Sequence, residues 1–220
     1  MSAGPESART RNGPAPTHIG QGDLPAGLAA AYGKAGRIAW DVETTGLDWN
    51  HDNLGTCQVY APGVGASVIS MTEEKPAGLI RLLEDPAVQK VFHHAPFDVR
   101  FMIRAWDAIP ASIRCTKVAS KLLKPQAPND EHTLKRLVWR HLGVRLEKGA
   151  IRTSDWSARE LSAEQVLYAA RDVLYLLPLL DILERVLADA RLDGLYDDCC
   201  AFLPAHARLE VGGYPDVFAY

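Results

Sequence analysis

The chain has 220 residues, 47% of them hydrophobic and 23% charged, with a formal net charge of −3. That is enough for one domain with a full core, and the charge balance argues against a surface that grips long nucleic acid through many phosphates. The longest apolar run, "VLYLLPLL" from Val173, is far shorter than the ~20 residues a membrane span needs.

Residues 1–20 are rich in Pro, Gly, Ser and Ala with little to bury, and read as a disordered tail. No apolar leader segment is visible, and Cys57, Cys115, Cys199 and Cys200 show neither CxxC nor zinc-type spacing. A reducing cytoplasm with free thiols is therefore expected, the adjacent Cys199 and Cys200 serving as packing.

Strands are expected at 36–43, 56–61 and 66–70, then a helix near 76–85 ended by Pro86. "QKVFHH" at 89–94 reads as a further strand. A helix over 96–106 follows, with Pro96 in its first turn and Val99, Met102, Ile103 and Trp106 at helical spacing. "SIRC" reads as a short strand, and helices follow at 116–124 and 131–142, the second stopped by Gly143. Ser162 and Gln165 form a capping-box pattern ahead of "VLYAARDVLYLL", which Pro178 should kink. The mixture points to an α/β domain, a mixed central sheet flanked by helices.

Asp41 and Glu43 interrupt the first of these strands two positions apart, so both carboxylates point to one face. Asp98 sits in a helix's first turn just after a strand, and Tyr168 and Asp172 are four apart on one helix face. Two carboxylates ~4 Å apart repel by ~4 kcal/mol at an effective dielectric near 20. Converging acids must therefore protonate or bind cations, and hard ions with oxygen ligands, Mg²⁺ or Mn²⁺, suit them. A pair of such ions is a device for phosphoryl hydrolysis. Alone, each motif is weak; the order and spacing of all three acidic segments make the signal.

"DVETTGL", "FHHAPFDVRFM" and "YAARDVLYL" resemble the three motifs of the DEDD exonuclease superfamily, in its Tyr-containing branch. The stretch from His132 to Leu179 is similar to ribonuclease D. "GDLP", "CTKVASKL", "TSDW" and the tail "CAFLPAHARLEVGGYPDVFAY" extend the resemblance to the nano-RNase C family of stand-alone bacterial diribonucleases. The resemblance implies a single ribonuclease H-like DEDD exonuclease domain over residues 21–194, and a C-terminal extension, 195–220, that contacts other copies. It implies that Asp41, Glu43, Asp98 and Asp172 hold two Mg²⁺ or Mn²⁺ ions and that Tyr168 positions the attacking water. Thr44 and Gly46 would contact the substrate's 3′ end through their backbone. Leu47 either wedges between two bases or packs in the core, and His94 either touches the 3′ nucleotide or closes the strand end. Trp156 either shapes the substrate pocket or is an apolar anchor, and Lys117, Lys121 and Lys124 are a solvated stripe or a phosphate clamp.

The resulting expectation is a 3′-5′ exoribonuclease that cuts diribonucleotides to 5′-mononucleotides. It would be a homo-oligomer, octameric by resemblance, using apolar anchors from Leu195 onward such as Phe202, Tyr214 and Phe218. Two other expectations are an exonuclease on longer RNA or DNA, of ribonuclease D or Werner type, and an inactive RNA-binding scaffold. The complete set of acids and the tyrosine weigh against the scaffold.

Overall fold

The computed structural model describes residues 18–146, 154–156, 158, 160–214 and 216–219. A short strand β1 (His18–Gln21) leads into helix α1 (Ala26–Ala35), followed by strands β2 (Arg37–Thr44), β3 (Leu54–Ala61) and β4 (Gly65–Ser70). Helix α2 (Ala77–Glu84), strand β5 (Gln89–Phe92), helix α3 (Ala95–Trp106) and strand β6 (Ile113–Cys115) come next. Helices α4 (Thr116–Leu123), α5 (Leu134–Leu142), α6 (Ala163–Leu174), α7 (Leu176–Asp189) and α8 (Asp193–Val211) follow, with a 3-10 turn between α4 and α5.

The strands form one sheet in the order β1-β4-β3-β2-β5-β6. β2, β3 and β4 are antiparallel neighbours, whereas β1 joins β4, β5 joins β2 and β6 joins β5 in parallel. The sheet is thus mixed, as the alternation of strands and helices predicts. β3, "LGTCQVYA", is buried at all but two positions, the pattern of a strand covered on both faces. The main core includes Trp40, stacked on Phe92, with Val59, Leu79, Met102 and Leu180. A smaller cluster of Ala66, Val68, Trp156, Val166, Tyr168, Ala169 and Ala170 fills the space between α6 and the sheet.

Several local expectations hold in detail. Ser162 and Gln165 form a complete capping box at the start of α6, and Gly143 ends α5 at φ 67°. Others are corrected. His18, Ile19 and Gly20, expected in a disordered tail, belong to β1; the rest of that expected tail, residues 1–17, lies outside the described residues. The helix expected over 131–142 is a 3-10 turn (Asn129–His132) followed by α5, whose N-cap is Thr133. The kink expected from Pro178 is a full break: the helical run is interrupted at Tyr175, and Pro178 stands in the first turn of α7, with no N–H to offer the Leu174 carbonyl four residues back. The boundary expected at residue 194 falls inside α8, which packs on α3 through an Arg100–Glu210 ion pair at 3.0 Å. The expected anchors Phe202, Tyr214 and Phe218 are exposed, as is Val217, whereas Leu203 beside them is buried within the chain.

Asp23, in the "GDLP" stretch, caps a helix 55 residues away. Its carboxylate accepts hydrogen bonds from Gly78 N at 2.6 Å and Leu79 N at 3.0 Å, the first turn of α2. Asp23→Ala is expected to cost about 1–2 kcal/mol, lowering the melting temperature by about 2–8 °C for a chain of this size. Asp23→Asn, which keeps an acceptor, should lose less in the same thermal melt.

Candidate active site

β2 delivers Asp41 and Glu43 to one face of the sheet, and α6 lies against β2, β3 and β4 on the side that presents Asp172. One carboxylate oxygen from each of Asp41, Glu43 and Asp172 lies within 4.8 Å of the others. The fourth acid, Asp98, stands in the first turn of α3 and is 2% exposed. Its Oδ1 accepts a hydrogen bond from Val42 N at 3.2 Å, the peptide between the two acids of β2. Burial first, and the charge of Asp41 second, push the Asp98 carboxyl well above the usual carboxylate range. Such a cluster, offering carboxylate oxygens as donors, fits a hard divalent cation.

Tyr168 lies one turn before Asp172 on α6, its ring buried. The Trp156 ring packs against it, with centroids 6.0 Å apart and planes tilted by 42°. Trp156 is 2% exposed and also edges a cavity of about 630 Å³ with Thr45, Asn53, Leu54 and Gly55.

The loop after β2 is closed on itself. Thr44 Oγ1 donates to the Gly46 carbonyl, Thr45 N donates to Asn53 O at 3.0 Å, and Asn53 N donates to Thr45 Oγ1 at 2.9 Å. A Cβ at Gly46 would lie 2.3 Å from the Asp52 carboxylate, so any larger residue there must move that side chain. Leu47 at its tip is 81% exposed, which removes the core-packing alternative.

His94 precedes α3 in the left-handed conformation, φ 71° and ψ 46°. Burial, then the charges of Lys117, Arg100 and Lys121, hold its imidazole down to about 4, so the ring is neutral at pH 7. Lys117 and Lys121, one turn apart on α4, thus both act electrostatically on His94. Lys124 is the C-cap of α4, and its charge acts on Glu131 and His141. Two contributors escape sequence reading: Gly55, which falls just outside the expected strand, and Gln165, whose amide does more than cap a helix.

A mixed sheet with carboxylates converging from a central strand and a crossing helix defines a 3′-5′ exonuclease domain. Residues 17–188 match the family model described as 3′-5′ exonuclease, and the chain belongs to that family. Within it, the chain is 33% identical over 177 residues to ribonuclease D of Haemophilus influenzae, covering 79% of this chain and 43% of that protein. The chain thus spans less than half the length of the curated relatives it matches. It is also similar to the Brucella melitensis protein NrnC bound to pGG, with 33% identity and a TM-score of 0.84, covering 92% of this chain and 98% of that one. A second structure of that protein carries bound Mg²⁺. Escherichia coli RNase D shares the fold at a TM-score of 0.71 and 24% identity, over 86% of this chain and 50% of that one. Sequence and fold together make the chain NrnC-like. Among the described residues no helix is long and apolar enough to cross a membrane.

Proposed function

We propose that the protein is a cytoplasmic, metal-dependent 3′-5′ exoribonuclease that hydrolyses very short RNA, diribonucleotides above all, to 5′-mononucleotides. The observation that carries this reading is the convergence of Asp41, Glu43 and Asp172 within 4.8 Å, with Asp98 hydrogen-bonded to the strand between the first two. At that separation two unit charges repel by about 3.5 kcal/mol at an effective dielectric near 20. These four acids would hold two Mg²⁺ or Mn²⁺ ions, Asp41 serving both. When bound, the ions supply a water of lowered pKa and charge stabilisation at the leaving oxygen.

The chain's own groups do the rest. Asp98 anchors the peptide between Asp41 and Glu43 and so fixes their spacing. The Tyr168 hydroxyl, donor and acceptor at once, orients the water toward the 3′-terminal phosphorus. A bond forms from the water oxygen to phosphorus, the bond to the penultimate 3′ oxygen breaks, and that oxygen leaves with a proton. Thr44 and Gly46 meet the 3′ nucleotide through their backbone, and neutral His94 flanks it. Exposed Leu47 reaches between the two bases.

The length preference draws on the similar protein whose ligand, pGG, spells two nucleotides, and on the net charge of −3, which suits a substrate with few phosphates. A homo-oligomer, octameric by resemblance, is the proposed assembly, with Phe202, Tyr214, Val217 and Phe218 as the apolar surface. Similarity to ribonuclease D supports a second reading, trimming of longer RNA or DNA with the same residues. Time courses on 5′-labelled dimers and 20-mers, as RNA and DNA, separate the two, with mass in solution measured alongside. The RNA dimer should be cleaved roughly tenfold faster or more, a difference of about 1.4 kcal/mol; equal rates per end would leave only the trimming reading.

A further inference from the structure

Glycine inside a buried strand forfeits packing and is otherwise a poor choice, yet β3 carries Gly55. β2 pairs Glu43 with Thr56 and Thr44 with Leu54, so Gly55 is the extra residue of an irregularity directly beside Glu43. Its carbonyl is held by Met71 N at 2.8 Å. A Cβ built on Gly55 would lie 2.3 Å from the Trp156 carbonyl oxygen and 2.8 Å from the Trp156 Cβ. Any larger residue must therefore push Trp156 away from the strand.

From the other side, Gln165 ties the same segment to α6. Its amide nitrogen donates to Ser154 Oγ at 3.0 Å and to Asp155 O at 2.9 Å. Its amide oxygen accepts from Ser162 N at 2.9 Å, and its backbone N donates to Ser162 Oγ at 3.1 Å. Both ends of this buried side chain are thus engaged, one turn before Tyr168. The Trp156 ring, almost without exposed surface, then closes on the Tyr168 ring.

We propose that Trp156 is a positioning residue for Tyr168, a spacer seated on Gly55 and clamped by Gln165 that sets the distance between the acid-bearing strand β2 and the tyrosine on α6. This goes beyond the reading of Tyr168 as the water-orienting group, and rests on it. It also assigns Trp156 to alignment in place of base stacking, for which its ring has little free face. The physical basis is that a reacting group displaced by about 1 Å loses roughly 10²-fold in rate, while binding made elsewhere is untouched.

A double-mutant cycle on an RNA dimer tests it. Trp156→Leu and Gly55→Ala should each lower kcat by roughly 10–10²-fold, with KM changed less than about twofold and Mn²⁺ affinity kept. Trp156→Phe, which preserves an aromatic spacer, should recover most of the rate. Added to Tyr168→Phe, Trp156→Leu should cost less than about threefold more, since residues acting as a unit are non-additive. Losses that multiply, or a raised KM at unchanged kcat, would overturn the positioning role while leaving the proposed reaction intact. A wild-type rate in Tyr168→Phe alone would remove the tyrosine's role and the spacer's with it. If Trp156→Leu fails to fold by its thermal melt, Gly55→Ala and Gln165→Met carry the same cycle, with the same non-additive losses expected.

Discussion

Asp41→Asn is expected to lower kcat by about 10³–10⁴-fold and, in the same protein freed of metal, to raise the melting temperature. Asparagine keeps the volume and one oxygen of aspartate but not its charge, so packing around β2 is retained. What is lost is the group proposed to serve both cations, and metal-borne charge stabilisation is worth several kcal/mol, each 1.36 kcal/mol being tenfold in rate. What is gained is relief of repulsion. Asp41 shares its site with Glu43 and Asp172 and adds to the forces that push the Asp98 carboxyl up. Without Asp41 the second of those forces disappears, and only burial holds Asp98 above its ordinary range. Opposite signs for activity and metal-free stability mark a site held together against its own charge. Mg²⁺ should raise the wild-type melting temperature, since a ligand of the folded state stabilises it, and should do little for Asp41→Asn. Hydrolysis at the wild-type rate in the variant, or no metal-induced stabilisation of the wild type, would remove the proposed chemistry. Activity and thermal melts with and without chelator give both readings.

The parts of the fold that could be read from the chain are those written in local periodicity. β2, β3 and β4 announce themselves as apolar runs, and α6 carries its own start signal in Ser162 and Gln165. The acids stand out because carboxylates at positions 41 and 43 interrupt an otherwise buried strand. The features that escaped depend on distant partners. α1, "AGLAAAYGKA", has two glycines and one buried residue, Tyr32. That tyrosine fixes the helix, its hydroxyl lying 2.8 Å from Ser67 Oγ and 3.1 Å from the Val59 and Gly65 carbonyls, all beyond the helix itself. β1 exists because four residues find the edge of β4 some fifty positions later. Asp23 gives no hint that it caps α2, and Pro204 disguises the long helix α8. Within the site, the same division holds. The meeting of Asp41, Glu43 and Asp172 was expected from order and spacing, whereas the need for glycine at position 55 exists only once Trp156 is laid against it.

Tyr168→Phe separates the chemistry from the scaffold that holds it. The Tyr168 ring is buried in the small cluster with Trp156, Val166 and Ala169, and phenylalanine keeps that ring and its contacts. Only the hydroxyl goes. The melting temperature should therefore stay close to wild type, and Mn²⁺ affinity should hold because the acids are unchanged. KM for the dimer should change little, as the substrate's proposed contacts lie at Thr44, Gly46, Leu47 and His94. Turnover, by contrast, should fall by about 10²–10⁴-fold, the contribution of a side chain that handles the reacting water's proton or its orientation. This pattern differs from that of Asp41→Asn, where metal response and activity disappear together. It differs also from a packing defect, in which stability and turnover decline in step. Kinetics on the RNA dimer, a Mn²⁺ titration and a thermal melt on one preparation distinguish the three. A variant that turns over at the wild-type rate would leave the water to be oriented by the acids alone.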